Sequence, residues 1–256
     1  MKYHCFIVFA IVSMGLFSCT KDSAISGDYK LSYGDSVIYM RASAGDYIVY
    51  PATHKEGEYS AFPEGIEIDS ETGAINVSKS ETGLRYLITH RATDGTVTTT
   101  KVVLSGITYF DKFYRLSQDS IAFPIYNASA GASLPVAGSV FDDGGGANSS
   151  GCDVKTVNGQ INLAQTVRNG LFGAIPANDD RKDIEIVYRL NDGSGKSVNK
   201  LKVRLYYYTS MATVAPDLLE TLAERQSAGV FLKGADGERF LQAARPRPPC
   251  VIIIAN

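Results

Sequence analysis

Tryptophan is absent from this chain, and histidine and cysteine are scarce, three and four respectively among 256 residues. So few imidazoles and thiols leave little material for a metal centre or an activated nucleophile, and no His-x-His, paired-cysteine or nucleophile-elbow pattern occurs. Acidic and basic residues nearly cancel at a formal net charge of -2, so bulk attraction to nucleic acid is not expected. No apolar run is long enough to cross a bilayer comfortably, and long helical periodicity is nearly missing. Without tryptophan the commonest sugar-stacking platform is lost, yet 15 tyrosines supply aromatic faces with a polar tip. What remains is a globular composition, sufficient for one or two domains.

The N-terminus is read separately. Lys2 gives a basic start, "CFIVFAIVSMGLF" is an apolar run of signal-peptide length, and it closes on "LFSC", Leu16 to Cys19. That stretch resembles the lipobox of bacterial lipoproteins, with an aliphatic residue three positions before the cysteine and a small one just before it. The resemblance implies that residues 1–18 are a cleaved signal, that the Cys19 thiol carries a diacylglycerol, and that residues 19–26 are a tether. Each buried methylene contributes about 0.8 kcal/mol, so two or three acyl chains hold a domain on a membrane almost irreversibly. The expected state is tethered, not spanning.

Further on, the chain repeats itself. "GIEIDSETGAIN" at 65–76 and "GCDVKTVNGQIN" at 151–162 stand 86 positions apart and share Gly65 with Gly151, Glu67 with Asp153, Gly73 with Gly159, Ile75 with Ile161 and Asn76 with Asn162. "ASAG" recurs in the same frame, at Ala42 and Ala128. Ile66 and Ile68 alternate with Glu67, and Ile75 and Val77 with Asn76, around a polar segment holding a glycine suited to positive φ, so each copy reads as strand, tight turn and strand. A second pair, "HRATDG" from His90 and "YRLNDG" from Tyr188, joins alternating strands on both sides and reads as a hairpin turn. In the last of these strands Leu201, Val203, Leu205 and Tyr207 fall on one face and Lys200, Lys202, Arg204 and Tyr206 on the other, one buried and one wet. The second offset is 98, so the second copy holds about a dozen extra residues near "RNGLFGAIPANDDRKD", read as a longer loop of the kind that carries binding surfaces.

Short strands at regular spacing, broken by Gly, Asp, Asn and Ser, predict β-sandwiches of about 85 to 100 residues each. "IDSETGAINV" followed by "YLITHRATDG" resembles the cadherin-like and putative Ig pattern of bacterial surface proteins. With the lipobox it implies a surface lipoprotein of the Bacteroidetes type, concerned with adhesion or glycan capture. "DSA", "DSV" and "DSI", at Asp22, Asp35 and Asp119, resemble the O-glycosylation sites of that group. The resemblance does not bring calcium with it: a hard cation wants six to eight oxygens, and the linker "SGITYFDKFYR" and the segment "SKSETG" offer few beyond Asp94.

Other candidate chemistry reads as structure. "GSGKS" at 193–197 lacks the first glycine of a phosphate loop, Leu190 standing there, and it lies in a hairpin. His90 aligns with Tyr188 on an inward strand face and reads as a packed side chain, leaving His54 as the other histidine beyond the signal. The carboxylate pairs Asp142–Asp143 and Asp179–Asp180 read as solvated turns. Cys152 takes the repeat position of Ile66, which favours a small buried hydrophobe, and a Cys152–Cys250 bridge stays open. "APDLLETLAERQSAG" spaces Leu218, Leu219 and Leu222 helically, and the "CVIII" after "RPRPP" should pair with a sheet edge or pack under that helix.

The expectation is therefore an all-β protein with two tandem Ig-like (cadherin-like) β-sandwich domains, at 27–106 and 107–209, and a C-terminal helix and strand extension at 210–256. It should be non-catalytic, with no cofactor, no metal site and no catalytic residue, and with Cys19 as its lipidation site. Its partners would be the membrane, through the N-terminal lipid, and a glycan or surface protein bound by residues the sequence does not single out, at the outer membrane or cell surface. The alternatives are an accessory subunit of an envelope complex docking through the C-terminal strand and, behind it, a hydrolase.

Overall fold

The computed structural model describes residues 29–227 and 248–256. It is all-β, built of several sheets, with a short C-terminal helix and strand. The N-terminal half holds β1 (Val37–Ile38), β2 (Ile48–Val49), β3 (Gly57–Phe62), β4 (Glu67–Ile68), β5 (Ile75–Asn76), β6 (Arg85–Ala92) and β7 (Val97–Leu104). A four-stranded sheet in the order β1-β7-β6-β3 and a three-stranded sheet, β2-β5-β4, close around one core that includes Tyr59, Ile66, Ile75, Tyr86, Ile88 and Leu104. Each such side chain, fully buried, contributes about 1.5–3 kcal/mol relative to exposure.

The C-terminal half holds β8 (Ile107–Thr108), β9 (Lys112–Arg115), β10 (Ile121–Ala122), β11 (Ile125–Tyr126), β12 (Val140–Phe141), α1 (Gly146–Ser149), β13 (Ile161–Asn162), α2 (Leu163–Arg168), β14 (Asp180–Arg189), β15 (Val198–Tyr208), α3 (Pro216–Ser227) and β16 (Cys250–Ile254). Its main sheet runs β12-β14-β15-β16-β9 over a second core that includes Tyr109, Phe141, Cys152, Ile161, Val203 and Ile253.

The turn at the centre of the repeat and its main supports recur in both copies. Gly73 and Gly159 sit at φ 71° and 70°. A Cβ on either would lie 2.6 Å from the Tyr59 ring or 2.7 Å from the Phe141 ring, so only glycine fits. The N–H of Gly73 bonds Asp69 O at 2.9 Å and that of Gly159 bonds Lys155 O at 2.8 Å. Tyr33 donates its hydroxyl to Gly73 O, and Tyr109 donates to Gly159 O. The hydroxyls of Ser80 and Thr166 each donate to the carbonyl of the repeat asparagine, Asn76 or Asn162, and each accept a strand amide, from Glu67 or Asp153. After Asn76 the chain makes a single turn. After Asn162 it continues into α2, because Asn162 caps the Gln165 N–H at 2.9 Å and Leu163 and Thr166 share a buried face. The extra residues expected as one loop are thus divided among the end of α2, a loop over 169–179 and the start of β14.

The described parts of the segment beyond Thr209 pack onto the C-terminal half. β16 lies inside the main sheet, parallel to β15 on one side and to β9 on the other, with all five residues buried. Its alternation splits it between two cores: Val251 and Ile253 face the main core, while Cys250, Ile252 and Ile254 face α3 through Leu218 and Leu222. Tyr206 and Tyr208 lie under the same helix, so the face of β15 expected to be wet is covered at its C-terminal end.

The halves meet through side chains of the second hairpin. The Tyr188 hydroxyl lies 2.8 Å from Thr82 Oγ1 and 3.2 Å from the Ile107 N–H that donates to it. Asp192 Oδ2 accepts from Ser105 Oγ at 3.1 Å and from the Tyr126 hydroxyl at 2.8 Å. Tyr39 packs so closely on Gly193 that a Cβ there would lie 2.8 Å from its ring.

Candidate functional site

The residues flagged in the sequence do not converge. Cys19 lies outside the described residues. Cys152 and Cys250 are both buried and both free thiols, with no bridge between them. Burial pushes the Cys152 thiol up to about 12, so it is inert at neutral pH. His90 packs against Tyr29 and Tyr59, with ring centroids 5.2 and 4.6 Å away, and its Nε2 lies 3.2 Å from Glu56 O. Asp142 corrects the solvated-turn reading: it is 3% exposed, and its carboxylate accepts the amides of Ala147 and Asn148 at the start of α1. Asp179 and Asp143 are partnered by Arg181 and Arg189. "GSGKS" falls in the turn between β14 and β15. Among the described residues no group of three or more His, Cys, Asp or Glu side chains could hold a metal ion.

The cleft that does gather polar side chains lies under α3. It has a volume of about 230 Å³ and is lined by Arg181 of β14, Arg204 and Tyr206 of β15, Cys250 of β16, and Asp217 and Arg225 of α3, among others. Strand alternation places Arg204 and Tyr206 on the outer face, and the helix stands over them because Leu218 and Leu222 are buried against Ile252 and Ile254.

Each arginine is held in place. Arg204 donates Nε and Nη2 to the two oxygens of Asp183, at 2.6 and 2.8 Å, and Arg181 does the same to Asp179, at 3.0 and 2.7 Å. The Arg181 guanidinium also stands 5.3 Å from the centre of the Tyr206 ring. Arg225 donates Nη1 to Asp111 at 3.2 Å, to Pro248 O at 3.3 Å and to Cys250 Sγ at 3.0 Å. The same Asp111 oxygen accepts the Cys250 amide at 2.6 Å, which locks the start of β16.

Hydrogen bonds from the partner arginines hold the Asp183 and Asp179 carboxyls below their ordinary range. Burial raises the Cys250 thiol, against the opposing charge of Arg225. The carboxylates balance the guanidinium charge, so the cleft is not a trap for anions. The bidentate pairs fix the guanidinium planes of Arg181 and Arg204 in positions suited to recognition of polar acceptors. The sequence showed α3 and the outward stripe of β15, but nothing in it brings Arg181, Arg204 and Arg225 together, since that requires the strand ladder and the seat of the helix.

Compared with known proteins, the chain matches no protein-family model and no curated protein.

Proposed function

We propose that the chain is a non-catalytic lipoprotein of a bacterial outer membrane or cell surface, anchored through Cys19. Its two halves are Ig-like domains of the cadherin-like kind, and it serves in adhesion or in capture of a glycan or a surface protein. The lipobox and the "IDSETGAINV" pattern support the class. The single observation that carries ligand capture is the α3 cleft, about 230 Å³ lined by arginine and tyrosine groups whose positions are fixed by carboxylates. Sheets with a rigid polar cleft suit recognition of hydroxyl-rich or peptide surfaces.

The test is glycan-array and surface-protein binding by the chain without residues 1–20, which keeps every described residue, set beside an Arg204→Ala variant. Binding lost in the variant supports the cleft, and uniform silence across the arrays refutes capture. Membrane retention unchanged in Cys19→Ser refutes the anchor. Docking of an accessory subunit through the C-terminal strand is the weaker reading, since β16 has both edges paired within its own sheet.

A further inference from the structure

The two halves treat the far edge of their central hairpin differently. In the first, β3 runs beside β6 for six residues, from Phe62 opposite Leu87 to Gly57 opposite Ala92. In the second, β12 covers β14 only at Tyr188 and Arg189. Asp142 is the cause. Where β12 would continue, its backbone takes φ 54°, and its buried carboxylate draws the following residues into α1 by accepting the Ala147 and Asn148 amides. One further amide, of Asp143, bonds Val187 O at 2.8 Å. Beyond it, among the described residues, no strand pairs with Asp180–Ile186 on that side.

The direction of the exposed groups follows from the pleat. Val187 O points toward β12, so Asp183 and Glu185, of the same parity, turn their N–H and C=O groups to the open side, while the residues between them bond β15. An open groove of about 340 Å³ runs along this edge, and Gly144, Gly146, Ala147 and Ser150 form its other wall, with side chains small enough for a backbone to approach. The charged residues lining the groove are all acidic, Asp143, Asp183 and Glu185, and each already carries one ion pair, to Arg189, Arg204 and Lys200 respectively.

The paired side of β14 shows what complements this stripe. There β15 sets Arg204 opposite Asp183 and Lys202 opposite Glu185, and ion pairs join Arg204 to Asp183 and Lys200 to Glu185. A strand with basic residues at every second position already satisfies these carboxylates from one side.

We propose that the open edge of β14 is a strand-addition site for a partner polypeptide whose extended segment carries Lys or Arg at alternate positions. Main-chain bonds to Asp183 and Glu185 supply affinity, and the acidic stripe selects the basic face. The site is independent of the lipid anchor and of α3, and it shares with the cleft only Asp183, whose carboxylate holds Arg204 there.

The probes are two fluorescent synthetic peptides, one alternating lysine with valine and the other glutamate with valine, titrated by anisotropy against the chain without residues 1–20. The lysine peptide should bind at least about 10-fold more tightly than the glutamate peptide. Glu185→Pro should weaken it by at least about 10-fold with the melting temperature kept, because that N–H serves no bond to β15. Glu185→Lys should narrow or invert the preference, and it carries the test alone if the proline variant melts early. Equal affinity for both peptides, no binding of either, or Glu185→Pro binding at the original strength would overturn the proposal. So would a dimer that Glu185→Pro abolishes, since the edge would then belong to a second copy.

Discussion

Replacing Ile253 by alanine tests the interior placement of β16. Ile253 has no exposed surface, sits in the main core of the C-terminal half, and is flanked in the sheet by Tyr207 of β15 and Tyr114 of β9. Tyr207 is held by the β14 ladder and Tyr114, on the edge strand β9, is itself buried, so the site has little freedom to collapse on the space left by the lost carbons. Ile-to-Ala changes in cores cost about 2–5 kcal/mol, and a site clamped on both sides belongs in the upper part of that range, about 3–4 kcal/mol. For a chain of this size that corresponds to a fall in melting temperature of roughly 6–16 °C. Urea unfolding followed by circular dichroism would measure it directly, with Ile175→Ala as the control. Ile175 is 90% exposed in the 169–179 loop, and its truncation should stay within about 0.5 kcal/mol. A cost below about 1 kcal/mol for Ile253→Ala would mean that β16 is peripheral and that the sheet closes without it.

Gly73→Ala and Gly159→Ala should each destabilise by about 2 kcal/mol or more in urea unfolding, since both force alanine to positive φ against an aromatic ring; a marked difference between them would deny the equivalence of the two turns. Tyr188→Phe removes the hydroxyl that accepts the Ile107 amide and meets Thr82, which should cost about 1–3 kcal/mol and speed hydrogen exchange at Ile107. In the chain without residues 1–20, neither Cys152 nor Cys250 should react with a thiol-disulfide reagent at pH 8 until urea is added, when both should. Asp179 and Asp183 are held low by arginine, so their contribution is complete above the ordinary carboxylate value of about 4 and is lost as pH falls through the depressed folded values. The urea midpoint should therefore drop modestly in acid, the effect being small because both pairs are partly exposed.

Strands and turns were legible where chemistry is local. Gly73 and Gly159 announce their turns because glycine is the residue that takes positive φ most readily, and the alternation from Leu201 to Tyr207 gives the buried face of β15 directly. Leu218 and Leu222 likewise reveal α3 by their spacing. The packing of "CVIII" under α3 was legible, but its slot between β9 and β15 was not, because the segment is apolar throughout and carries no period to name its strand neighbours. Asp142 misled for a related reason. A carboxylate among glycines reads as solvated until the fold supplies two amides to receive it. Of the α3 cleft, the individual arginines were visible and their meeting was not, since Arg181, Arg204 and Arg225 share no sequence window.

The lodging of residues 250–254 between strands laid down much earlier has a bearing on biogenesis. While the polypeptide is being made, the partner surfaces of Lys112–Arg115 and Arg204–Tyr208 exist well before the segment that will join them, so the main core of the C-terminal half stays unfinished until residues 250–254 are made. Pairings this distant along the chain are entropically slow to form, and apolar edges awaiting them are open to wrong neighbours. Premature arrest would strand that core half-built, whereas the N-terminal one, drawn from residues 31–104, needs no segment of the C-terminal half.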